Sequence, residues 1–244
     1  MGINKRAFTL AEVLITLAVI GVVAVLTVPV LISNYNKKSV ETKLAQFNSM
    51  INEVVRLSEI ENGSKSGWSY NNAEDFFNKY LSSYLKVVKT EKVSDLEYNI
   101  YLVNGTMFSL YQPEATTDTI HLCFYTDAKK YLDETTLVGK DAFIFLFYKL
   151  PGDKLSKERF CNSPYLGEGT GFVPYFFYMS DKKDYWDTEK NCRQIVYPEN
   201  DEELTDTLLN DPLYGCGKSE GNAYCTKIIQ LNGWKIPDDY PIKF

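Results

Sequence analysis

Few side chains in this 244-residue sequence are placed to do chemistry, and the most telling is a carboxylate. Glu12 stands at the head of an apolar run, with Lys5 and Arg6 as the only charges before it. From Val13 to Ile32 there are twenty residues without a charge. A carboxylate entering a bilayer costs up to about 2.5–3.5 kcal/mol, so an acid there calls for a functional partner. The other candidates are scattered: five cysteines (Cys123, Cys161, Cys192, Cys216, Cys225), one histidine (His121), and the acids Glu199, Asp201, Glu202, Glu203 and Asp206. With a single histidine on a predicted strand, a Ser-His-Asp or Cys-His arrangement has no local support, and an alternating polar position explains His121 better. No Gly-rich phosphate loop is present.

The element that positions Glu12 is a helix. Twenty uncharged residues at 1.5 Å each span roughly 30 Å, the thickness of a hydrocarbon core. Lys5 and Arg6 keep the N-terminus cytoplasmic and leave the chain from Ser33 onward outside. A secretory signal has a shorter core and small residues at its cleavage site. Here the core is long, opens with an acid, and no Ala-x-Ala follows. A lipoprotein signal needs a cysteine soon after the core, and the first is Cys123. A plain anchor gives no reason for Glu12, and a buried soluble helix rarely stays apolar on every side.

Ala7-Phe8-Thr9-Leu10-Ala11-Glu12 and the run behind it resemble the N-terminus of type IV prepilins and type II secretion pseudopilins. The resemblance covers about the first thirty residues. It implies a leader, Met1 to Ala7, removed by a prepilin peptidase between Ala7 and Phe8, with N-methylation of Phe8. The residue before the cut is usually Gly in the family and is Ala7 here. Thr9, Leu10 and Glu12 fall on the family pattern, and Gly21 and Pro29 sit where many members carry a glycine and a proline. In a filament, Glu12 of one subunit would meet the Phe8 amine of its neighbour inside an apolar helix bundle. Their attraction at low dielectric is large but offset by desolvation, so the pair acts mainly as a register device. Pro29 loosens the helix, Gly21 lets a neighbouring helix approach, and Thr16 and Thr27 satisfy carbonyls or bond across helices.

Beyond the span, Val40, Leu44, Phe47, Ile51, Val54 and Leu57 recur at three- and four-residue steps, and Asn62-Gly63-Ser64 ends the pattern. The chain therefore divides into a leader (1–7), a membrane and assembly helix (8–33), its amphipathic continuation (34–63), a head with a sheet (64–150) and a C-terminal region bearing Cys and Pro (151–244). Residues 64 to 244 hold no second span, repeat or low-complexity tract. Trp68 to Tyr84 reads as a short aromatic helix. Tyr98–Val103 and Met107–Tyr111 flank Asn104-Gly105, a strong hairpin signal. Thr119–Tyr125 and Ala142–Tyr148 supply two more strands. The expected class is α+β and pilin-like, with an antiparallel sheet of about four strands covering the amphipathic half of the helix. Gly139-Lys140-Asp141-Ala142-Phe143 resembles a turn of pseudopilin-like sequences, and Trp234 is expected to dock back on the head.

All five cysteines follow the apolar run, which fits an oxidising compartment. Cys216 with Cys225 closes a short Gly-rich loop and is the first expected pair. Cys161 with Cys192 is the second, leaving Cys123 as a buried thiol. Zinc would need closer Cys spacing. The acids from Glu199 to Asp206 could offer oxygens to calcium but miss the EF-hand spacing, and acids early in a short helix are the plainer account. No cofactor is expected.

Removing the leader would take the net charge from −6 to −8, which disfavours nucleic acid as a partner. The expected protein is a non-enzymatic filament subunit of the bacterial inner membrane, later of a periplasmic or surface fibre. Its partners would be prepilin peptidase, other pilin subunits, the inner-membrane assembly platform and the lipid bilayer. The alternative is a single-span anchored protein whose outer domain binds a ligand or substrate without polymerising.

Overall fold

The computed structural model describes residues 9–112, 119–148, 171–176, 185–189, 192–194, 201–217 and 221–244. The chain divides into two compact units, residues 1–39 with Phe244 and residues 40–243. Helix α1, Leu10–Asn62, contributes to both.

In the first unit every described residue from Thr9 to Ile32 except Ala24 is exposed. Pro29 lies inside the helix. The Thr16 hydroxyl donates to the Val13 carbonyl and the Thr27 hydroxyl to the Val23 carbonyl, each at 2.9 Å, so both threonines bond within their own helix.

In the second unit α1 buries Val40, Glu41, Leu44, Phe47, Ile51, Val54, Val55 and Ser58. That is the stripe the spacing predicts, except that Leu57 is only half-buried and Val55 and Ser58 complete the face. Gly63 ends the helix with φ +76°, a conformation that costs glycine little. Helix α2 (Ala73–Tyr80) is capped by Asn72, whose side chain accepts from Asp75 N at 2.8 Å. Its Phe76 and Tyr80 pack around Trp68, which stacks on Tyr80 at 4.2 Å.

The main sheet holds six antiparallel strands in chain order: β1 (Val87–Lys92), β2 (Glu97–Leu102), β3 (Met107–Tyr111), β4 (Thr119–Tyr125), β5 (Ala142–Tyr148) and β6 (Phe172–Pro174). The expectation of about four strands is thus corrected to six. The four read from the sequence are β2 to β5, with β4 and β5 at the expected bounds. β1 escaped because nearly all of it is exposed, leaving no apolar alternation to read. β6 escaped because it is three residues long and holds Pro174, tolerated only at an edge.

The register aligns Ile100, Phe108, Phe124 and Phe143 in one row, and Tyr98, Leu110, Leu122 and Phe145 in the next. These rows face α1: Phe47 stacks on Phe124 at 3.9 Å and packs against Phe108 and Phe145. The opposite face carries the row Asn99, Ser109, Cys123 and Ile144. Helix α3 (Ala128–Leu132) sends Tyr131 there, where its hydroxyl accepts from Asn99 Nδ2 at 2.9 Å.

A small second sheet pairs β7 (Tyr185–Asp187) with β8 (Cys192–Gln194). Helices α4 (Asp201–Asn210) and α5 (Cys225–Leu231) follow. A second core joins Leu146, Phe176, Leu204, Leu208 and Tyr224. The Thr226 hydroxyl on α5 accepts from Ile144 N on β5 at 2.9 Å.

Candidate assembly site at the N-terminus

Thr9 and Glu12 are locked together at the start of α1. The Glu12 carboxylate accepts from Thr9 N and from Thr9 Oγ1, both at 2.8 Å, while Thr9 Oγ1 accepts from Glu12 N at 3.2 Å. This is a reciprocal capping box, which satisfies orphan amides at a helix start. An acid in the first turn also complements the helix dipole. The Thr-x-x-Glu spacing therefore has a local job that the sequence reading did not assign. The carboxylate is nonetheless exposed, so one oxygen remains accessible to a cation from another chain. Leu10 beside it is 78 % exposed. Around Gly21, among the described residues, nothing beyond the helix's own backbone lies within 4 Å of where a Cβ would stand. Ala7 and Phe8, the expected cleavage pair, lie outside the described residues.

Among the described residues α1 is the one helix long and apolar enough to cross a membrane, and none of its apolar window is buried. An apolar surface of that size is unfavourable in water, and it fits membrane anchoring.

The remaining candidates separate. Cys216 and Cys225 form the expected disulfide. Cys161 lies outside the described residues, and of Cys192 only the backbone in β8 is described, so the second expected pair lies outside them. Cys123 is a free thiol on the half-buried outer face of β4, with its sulfur packed inward. Packing around its sulfur pushes the thiol up to about 11, against ordinary cysteine reactivity. His121 lies between the Tyr111 and Tyr175 rings at 6.0 and 5.9 Å, and burial lowers its pKa. Asp201 to Asp206 fall in the first turns of α4, and Glu199 lies outside the described residues. No group of three or more His, Cys, Asp or Glu able to hold a metal occurs among the described residues. A cleft of about 240 Å³ lies between α4, α5 and the chain's last turns, lined by Leu208, Leu209, Ile228, Pro237, Tyr240 and Pro241.

Two polar residues on α1 escaped the sequence reading. Glu41 is 7 % exposed. It accepts from Ile236 N at 3.0 Å and pairs with Lys235 at 3.5 Å. Asn52 binds both backbone groups of Phe172. Both lie within the arc of the apolar stripe, one position from Val40 and Ile51, and that placement was the available signal. Trp234 does dock, stacking 6.5 Å from Phe145.

Two family profiles match the chain. The prokaryotic N-terminal methylation motif matches residues 3–28, the stretch that contains Thr9, Glu12 and most of the apolar run. The family of unknown function DUF6613 matches residues 30–173 and 168–244. No curated protein and no solved structure matches the chain. The chain belongs to the family of unknown function DUF6613, and with its methylation motif and long apolar N-terminal helix it is a type IV pilin-like protein.

Proposed function

We propose that this protein is a non-enzymatic structural subunit of a type IV pilus or type II secretion pseudopilus. The observation that carries the reading is the exposed apolar start of α1 headed by Glu12, within a matched methylation motif. Prepilin peptidase cuts between Ala7 and Phe8 on the cytoplasmic face, and Phe8 is N-methylated. The subunit waits in the inner membrane with its head extracytoplasmic. An inner-membrane platform then draws it into a fibre with other pilin subunits. Glu12 exchanges part of its bonding to Thr9 for the Phe8 amine of a neighbour, and a misplaced subunit leaves a charge buried without its counter-ion. Residues 8–33 form the assembly helix, with Gly21 and Pro29 permitting close packing and bending.

The capping box favours one rival, an anchored protein in which Glu12 only starts the helix. The N-terminal sequence and intact mass of the membrane-extracted protein test the first step, and a chain starting at N-methylated Phe8 is expected. Glu12→Ala then separates the readings. A filament subunit still inserts and is cut but no longer enters fibres. An anchored monomer loses only a fraction of its helix start.

A further inference from the structure

Residues 233–243 are held at widely separated points of the second unit. Trp234 adopts φ +62°, its amide donates to the Ile229 carbonyl at 2.8 Å, and its ring meets Phe145. Ile236 N and Lys235 Nζ reach Glu41 on α1. The Tyr240 hydroxyl donates to the Gly139 carbonyl at 2.6 Å. The next two residues lie against glycines that flank the two cysteines. A Cβ on Gly217, the residue after Cys216, would stand 2.4 Å from Pro241 Cβ. A Cβ on Gly139 would stand 2.5 Å from Ile242 Cδ1 and 2.6 Å from Cys225 Sγ. Cys216 is 1 % exposed and Cys225 0 %.

The described residues of the loop beneath are pinned independently of this segment. Gly217 N donates to Asn222 Oδ1 at 2.6 Å, Cys216 N to the Leu208 carbonyl and Tyr224 N to the Tyr214 carbonyl. Pro241 therefore rests on Gly217 of the closed loop, and Ile242 on Gly139, which in turn lies against the Cys225 sulfur.

We propose that residues 233–243 form a latch that docks on the oxidised Cys216–Cys225 loop and shuts reductants out. Reduction needs a reductant thiolate to attack one sulfur while the other leaves as a thiolate. A second thiolate of the reductant then resolves the mixed disulfide. Two electrons pass to the cysteine pair and the reductant becomes a disulfide. With both sulfurs covered, attack waits until the latch lifts. The reverse order holds during maturation: dithiol oxidation by an external disulfide precedes docking of the latch.

The test is the native-state reduction rate of the full chain in detergent with dithiothreitol, quenched by alkylation and mapped by peptide mass to separate Cys216 and Cys225 from the other cysteines. Tyr240→Phe removes one hydrogen bond from the latch and keeps its ring, so about a fivefold faster reduction is expected. That acceleration should depend little on low urea, because only the latch opens. Equal rates in the two proteins would overturn the proposal. So would a steep urea dependence in Tyr240→Phe, because the whole head would then have to open first.

Discussion

Asn52 on α1 pairs with Phe172 on β6 as one residue of a neighbouring strand would. Its Oδ1 accepts from Phe172 N at 2.8 Å, and its Nδ2 donates to the Phe172 carbonyl at 3.0 Å. A side-chain amide thereby closes the edge of a six-stranded sheet across 120 residues of sequence. Open strand edges invite pairing with other chains, and here the helix itself covers one.

Asn52→Ala removes both bonds and leaves a buried amide and carbonyl unmet. A loss of about 2 kcal/mol in unfolding free energy is expected. Urea unfolding of the full chain in detergent checks the magnitude. Hydrogen exchange at Phe172 should rise more than exchange within β3, which locates the effect at the edge.

Phe47→Ala empties the centre of the aromatic cluster formed with Phe108, Phe124 and Phe145. The expected cost is about 3–5 kcal/mol, a typical range for a buried phenylalanine. Exposed Val23→Ala should leave the stability of the head unchanged in the same unfolding measurement.

Gly139 has φ +87° and lies against Ile242 and Cys225. Gly139→Ala meets both the left-handed backbone penalty and a steric clash, so a loss of about 3 kcal/mol is expected. Alanine at Gly105, also at positive φ but with open space around it, should cost about 1–2 kcal/mol. Thermal unfolding of the two variants separates crowding from backbone strain.

The folded-state pKa of His121 is depressed below 6.5 by burial. The unfolded chain therefore takes up this proton first as pH falls, and stability rises with pH across the interval. The contribution of His121 is fully present above about pH 7. It is lost as pH drops through 6.5 toward the lower folded value. Urea titrations between pH 7 and pH 5 should show the decline, and His121→Asn should flatten that part of the profile.

With its thiol pushed up to about 11, Cys123 stays protonated at pH 8. Iodoacetamide should label it far more slowly in the native protein than in urea, with mapping by peptide mass. Equal rates would mean that the sulfur is not shielded.

What was legible in the sequence follows from how strongly each signal is local. Asn104-Gly105 between apolar alternations fixes its hairpin within one residue of the observed β2 bounds, because a tight turn sets register. Gly63 stops α1 where only a left-handed residue continues the chain. The short loop between Cys216 and Cys225 made their bridge readable, separated as they are by nine positions. β1 was invisible because an exposed edge strand has no buried face to impose alternation. Glu41 and Asn52 were passed over because their partners, Ile236 and Phe172, lie 195 and 120 residues away. Thr9 and Glu12 were read through their resemblance to a processing motif, and their mutual capping emerged only from geometry.

The strand order of the main sheet carries a kinetic consequence. Each strand neighbours the one synthesised before it, so five successive pairings need only modest loop closures. The sheet can grow hairpin by hairpin as the chain emerges, templated on a helix made earlier. The contact between Glu41 and Ile236 obeys another clock, for its two ends are born 195 residues apart. Nascent α1 and its sheet can therefore be nearly complete while Glu41 still lacks the backbone amide that finally seats it.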